Sequence, residues 1–228
     1  NTLVNKAVTG ATYNGSRSGF VATTEGWGAS TAFNTAPVIT NLMLGNSVTT
    51  TLSSSIVVNA NLVLQSGLDL NGQTITLGNT GYLVEGDGLL SGATGSITTT
   101  RNLNNISAEN IAGLGAVITT TADMGSTTIT RSHAAEASPE SINRQYQITP
   151  TTNTGLDATL VFNYDDSELN GLDEIYLTLY NSGDGVSWTE QQSSYDTASN
   201  QLTITGLDGF SYWTAAYSTQ DSDGDSTP

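Results

Sequence analysis

"IVVNANLVLQSGLDLNGQTITLGNTGYLVEGDGLLSGATGSITTT", residues 56–100, places small apolar clusters at centres six to eight residues apart. Ile56-Val57-Val58, Leu62-Val63-Leu64, Leu68-Asp69-Leu70, Ile75-Thr76-Leu77, Tyr82-Leu83-Val84, Leu89-Leu90 and Ile97-Thr98-Thr99 follow one another. Each cluster is too short for a helix and has the length and residue types of a strand. Three of them make a unit of about twenty residues, the length of one rung of a three-sided coil. Such a coil needs corner residues able to adopt φ > 0, and Asn71-Gly72, Gly78-Asn79, Gly86-Asp87-Gly88 and Gly92 stand between the clusters. Aliphatic side chains then stack rung on rung at about 4.8 Å. The stretch reads as a short right-handed parallel β-helix. An antiparallel meander is the competing arrangement, with Asn71-Gly72 as a two-residue hairpin turn.

Working outward, residues 1–36 scatter apolar residues among Gly, Ser, Thr and Asn without a sustained period. They form an irregular N-terminal cap, closed by Phe20, Trp27 and Phe33, or an incoming repeat of the same coil. Residues 37–112 are the strand-turn repeats, and within them Ser107–Ala112 has the composition of a single helical turn capped by Ser107. Residues 113–218 carry longer, alternating strands, the first two at Ala116–Thr121 and Thr127–Arg131, with Asn153-Thr154-Gly155, Asn170-Gly171, Asp184-Gly185 and Asp208-Gly209 among the turn signals that separate them. About eight antiparallel strands at this spacing predict a β-sandwich. Residues 219–228 are an acidic linker tail. The fold class is therefore all-β, a β-helix-like part followed by an antiparallel sandwich.

Composition narrows the function. Among 228 residues there are 21 acidic and 5 basic ones, a formal charge of -16, which repels nucleic acid and anionic membrane surfaces. Only 11% of residues are charged, so hydroxyls and amides supply most of the polarity. No cysteine is present, which removes disulfides, thiolate chemistry and cysteine metal sites. No apolar run approaches the ~20 residues that span a bilayer, so membrane insertion is not expected.

The blocks "SITTTRNLNNISAENIAGLGAVITTTADMGSTTITRSH", "RQYQITPTTNTGLDATLVFNYDDSELNGLDEIYLTLYNSGDGVSWTE" and "LTITGLDGFSYWTAAYS" together resemble a module of large secreted surface proteins of Bacteroidota. Many of those are exported by the type IX secretion system and include adhesins of the gliding-motility type. The resemblance covers residues 96–218 and, more loosely, the repeats before them. It implies a secreted or cell-surface location and neighbouring domains of the same large protein as partners. It also implies O-glycosylation at short Asp-Ser/Thr motifs, for which Thr197 and Ser226 are the candidates.

Reactive constellations are sparse. His133, the sole histidine, falls in the polar loop "TRSHAAEASPES" and reads as a solvent-exposed loop residue and not as a catalytic base. Residues 37–100 hold only Asp69, Glu85 and Asp87 as charged groups, too few to stabilise an anionic sugar intermediate. "SGDGVSW", residues 182–188, resembles the Asp-box turn of propeller proteins but is one residue short and occurs once. A hairpin at Asp184-Gly185 followed by a core Trp188 accounts for it. Residues 165–168 read as a polar turn, and the runs at Thr98–Thr100, Thr119–Thr121 and Thr127-Thr128 as ordinary strand faces.

No cofactor is required by these residues. The tail "DSDGD" offers Asp221, Asp223 and Asp225 as candidate calcium ligands, and otherwise reads as a disordered linker. The leading expectation is a non-catalytic structural or adhesin module. The alternative is a carbohydrate-binding module, with Trp27, Tyr82, Tyr195, Tyr212 and Trp213 as the rings on which surface glycans would stack.

Overall fold

A computed structural model describes residues 3–4, 20–22, 38–45 and 49–219. The chain separates into two compact units, residues 1–100 with 112–114, and residues 101–111 with 115–228.

The first unit is a coil of parallel strands. One face carries Leu42–Leu44, Asn61–Leu64 and Tyr82–Glu85 in parallel register, Leu42 opposite Leu62 and Leu62 opposite Leu83. A second carries Val38–Ile39, Ile56–Val58 and Thr74–Leu77, joined by the beginning of Ser96–Asn110. The third carries Thr50–Thr51, Leu68–Asp69 and Leu90–Ser91. Among the described residues every pairing in this unit is between strands one rung apart and parallel, so residues 56–100 are not an antiparallel meander. On the first face the ladder continues through Phe20–Ala22 and Leu3–Val4, as an incoming repeat would. Trp27 and Phe33, proposed as cap residues, lie outside the described residues.

Alternation explains the packing. Leu62, Leu64, Leu68, Leu70, Ile75 and Ile97 are fully buried, and register stacks like on like, as in the column Ile56, Ile75, Ile97. Another column, Val58 over Leu77, ends at Thr99, whose buried hydroxyl donates to the Leu77 carbonyl at 3.2 Å. At the Asn71-Gly72 corner both residues have positive φ, 47° and 77°. The Leu90 amide, on the last strand of the third face, donates to Glu85 Oε1 at 2.9 Å, so a carboxylate caps a group that would otherwise offer itself for strand pairing.

The second unit is an antiparallel sandwich. Its strand Ala116–Ser132 serves both sheets. Thr127–Ser132 pairs with Ser141–Pro150, which continues to Tyr212–Tyr217, Leu177–Ser182 and Thr189–Gln191. Ala116–Thr119 pairs with Ala158–Asn163, followed by Gln201–Leu207 and Ser194–Asp196. Tyr146 of one sheet meets Phe162 of the other edge-on, with ring centroids 4.9 Å apart.

Two local expectations are corrected. Ser107–Ala112 is not a helical turn: the strand Ser96–Asn110 runs through it with positive φ at Asn105 and Ala108, and only Ile111–Gly113 forms a 3-10 turn. A single turn satisfies few backbone groups, whereas strand pairing satisfies one per residue, and the Ala108 amide gains Thr119 Oγ1 at 2.8 Å. Ala116–Thr121 and Thr127–Arg131 are not separate strands but one of 17 residues.

Candidate functional site

The rings expected to carry a glycan are placed unequally. Tyr82, in the first unit, points outward from its strand and is 41% exposed, directly opposite Asn61 in the ladder. The Asn61 amide donates to Asn41 Oδ1 at 3.2 Å, so a tyrosine ring and two side-chain amides occupy successive outward positions. In the second unit Tyr195 is 54% exposed on the short strand Ser194–Asp196. Tyr212 is half-buried, and its ring lies over the turn at Gly185. Trp213 is 1% exposed, which removes it from any platform: the strand Tyr212–Tyr217 is buried on both faces from Trp213 to Ala216. Trp27 lies outside the described residues.

Thr197 stands half-buried in the turn between Ser194–Asp196 and Gln201–Leu207. Ser226, Asp221, Asp223 and Asp225 lie outside the described residues. Among the described residues no group of three or more His, Asp or Glu is placed to hold a metal ion, and no helix is long and apolar enough to cross a membrane.

The turn at Ser182–Ser187 is built on one carboxylate. Asp184 Oδ1 accepts the amides of Ser187 at 2.7 Å and Val186 at 2.9 Å, and the Ser182 hydroxyl at 2.9 Å. These bonds, the Ser187 amide foremost, hold the Asp184 carboxyl down at about 2. The expected hairpin is present, Asn181 opposite Thr189, while Trp188 is half-buried and not a core residue.

The densest polar chemistry lies inside the sandwich, around residues read as a loop and a turn. His133 is not exposed but 4% accessible, and Arg131, Arg144 and Glu168 are buried with it. Strand alternation brings them together. Arg131 lies directly opposite Tyr146, and both share the inward phase of Ile129 and Ile148. Glu168 enters from the 3-10 turn Asp166–Glu168, whose capping box ties its Oε2 to the Asp165 amide at 2.8 Å.

Glu168 is the common acceptor. Arg144 donates to Oε1 from Nε at 3.0 Å and from Nη2 at 2.8 Å, His133 Nδ1 is 2.9 Å from Oε1, and Arg131 Nη2 is 3.9 Å away. Arg144 Nη1 also donates to the Tyr146 hydroxyl at 3.0 Å and to the Asn163 carbonyl at 3.1 Å. Burial pushes the Glu168 carboxyl up, but the His133 hydrogen bond and the charges of Arg144 and Arg131 outweigh it and hold the group at about 2. Burial pushes His133 down, below its ordinary range. The imidazole is therefore neutral near pH 7 with its hydrogen on Nδ1, because a carboxylate can only accept.

A histidine oriented by a carboxylate is half of a general-base arrangement, and the other half is a hydroxyl within hydrogen-bond reach of Nε2. Here Nε2 is buried without a hydrogen-bond partner. As it stands, the cluster joins two strands and a turn through one carboxylate. The sequence held a signal for it: Arg131 and Arg144 occur in phase with isoleucines, at positions that alternation sends inward.

No family model, curated protein or solved structure matches this chain.

Proposed function

We propose that the chain is a non-catalytic structural module, a stalk or fibre segment of a large bacterial cell-surface adhesin, joined to neighbouring domains of the same protein. One observation supports this reading above others: the first unit is a stack of rungs in unbroken parallel register around an aliphatic interior. Each rung needs only its neighbours, so length can be added or removed without rebuilding a core, which suits a spacer. The resemblance of residues 96–218 to surface modules of Bacteroidota points the same way, toward a secreted protein. O-glycosylation at Thr197 and Ser226 and calcium at Asp221, Asp223 and Asp225 belong to this reading.

Carbohydrate binding is the second reading, favoured by the exposed Tyr82 ring beside the Asn61 and Asn41 amides and by exposed Tyr195. Two measurements separate the readings. Deleting residues 55–73 brings Thr74 to the place of Ser55 and Leu83 opposite Leu42; a spacer refolds one rung shorter, and the structural reading is lost if the shortened coil does not fold. On a glycan array the spacer gives no saturable signal. A saturable signal abolished by Tyr82→Ala or Tyr195→Ala selects the carbohydrate-binding module instead.

A further inference from the structure

The interior of the sandwich concentrates positive charge around one anion. The groups facing His133 are Glu168 from the 3-10 turn, Arg131 from the end of the strand that His133 follows and Arg144 from the neighbouring strand. Of these only Glu168 is negative, and it already serves both guanidinium groups. His133 Nε2 is buried and has no hydrogen-bond partner. A proton arriving there gathers three cations about a single carboxylate, out of reach of water that would screen them.

His133 also occupies a mechanical position. It directly follows the strand Ala116–Ser132 and fastens the near end of segment 134–140 to the interior. Within the segment, Glu136 closes onto the following strand through contacts that must open when the segment is freed: the Glu136 amide donates to Ser141 Oγ at 2.8 Å, the Ser141 amide to the Glu136 carbonyl at 3.2 Å, and Gln145 Nε2 to Glu136 Oε1 at 2.8 Å.

We propose that His133 is an acid-operated latch: protonation at Nε2 drives the imidazole out of the Arg131–Arg144–Glu168 cluster and frees segment 134–140 from the sandwich. Burial, and then the two arginines, oppose the charged imidazole in the closed state, while the Glu168 hydrogen bond only partly offsets them. The closed state therefore binds this proton more weakly than the open state does. Closure is complete above the ordinary histidine pKa of 6.5 and weakens as pH falls from there through the lowered value. Each unit of depression multiplies the open fraction by about ten once both states are titrated.

Hydrogen exchange of the full chain at pH 7.5 and pH 5, corrected for intrinsic exchange, tests the latch. The open fraction at the Glu136 amide is higher at pH 5 than at pH 7.5, while amides of Leu177–Ser182 keep their protection. The single histidine gives one assignable imidazole resonance, whose titration midpoint falls below 6.5 and coincides with the opening. His133→Asn can place an amide donor toward Glu168 without a titrating group, and it removes the pH effect. Equal opening at the two pH values, a midpoint at or above 6.5, or an undiminished pH effect in the asparagine variant overturns the proposal. If that variant does not fold, the two wild-type readouts decide alone.

Discussion

Glu168 Oε1 lies 2.9 Å from His133 Nδ1, and the same carboxylate neutralises Arg144 through bonds to both of its oxygens. Removing this one anion leaves two guanidinium groups uncompensated in the interior, a loss of about 3–5 kcal/mol. Glu168→Gln keeps the shape and one acceptor, so most of that loss is charge. Urea unfolding followed at Tyr146 should show the midpoint falling accordingly at pH 7. Acid has the same effect on the native chain. A carboxyl held at about 2 against its ordinary 4.5 contributes about 3 kcal/mol above the ordinary value, lost as pH falls from 4.5 through 2. Glu168→Gln should flatten that part of the stability profile.

Much of the first unit was legible because its code is local: aliphatic residues recur inward at every rung, and the Asn71-Gly72 corner needs the positive φ that those residues tolerate. The sandwich was legible in class but not in detail. Ala116–Ser132 reads as two strands because Asp123-Met124-Gly125 has the composition of a turn; in the fold Gly125 takes φ 66° and the strand passes from one sheet to the other. The buried cluster was missed because His133 and Glu168 sit in segments whose neighbours are polar. Their burial follows from the pairing of Glu168 with His133 and Arg144, partners too far along the chain for one local window to hold both.

A coil built by stacking makes inward and outward positions differ sharply. Leu62 is 0% exposed, and its strand neighbour Val63 faces outward. Leu62→Ala should destabilise the first unit by about 2–5 kcal/mol through lost transfer energy and the cavity left behind. Val63→Thr should stay within about 0.5 kcal/mol, since surface changes away from special features are nearly neutral. Exchange protection at the Leu64 and Tyr82 amides reads both variants; equal losses would contradict the assignment of faces.

Asn153 fastens two distant segments of the sandwich. Its Nδ2 donates to the Phe210 carbonyl at 2.9 Å and its Oδ1 accepts the Phe210 amide at 2.7 Å, so the side chain completes a two-bond pairing like that between strands. Asn153→Asp keeps the acceptor but sets a carboxylate oxygen against the carbonyl. A cost of about 1–3 kcal/mol follows from the unsatisfied carbonyl, and Asn153→Gln cannot restore both bonds at the new length. Thermal unfolding of the aspartate variant at pH 7 should show a lower midpoint, with the loss centred on amides of residues 208–212.

Gly113 and Gly155 separate backbone strain from steric closure. Both have positive φ, 74° and 68°, so a side chain at either is strained by about 1–2 kcal/mol. A Cβ on Gly155 meets nothing within 4 Å, whereas a Cβ on Gly113 would lie 2.0 Å from the Leu83 carbonyl oxygen and 2.7 Å from Tyr82 Cε1. The backbone at Gly113 thus rests directly on the strand Tyr82–Glu85, beside the fully buried Leu114. Gly155→Ala should cost only the strain. Gly113→Ala adds a clash with backbone that cannot rotate away, worth a further 1–3 kcal/mol or about that much in displaced packing. The test is exchange at the Leu83 and Val84 amides: Gly113→Ala should expose them at least tenfold more than Gly155→Ala does, and equal exchange in the two variants would show that residues 112–114 do not close this end of the coil.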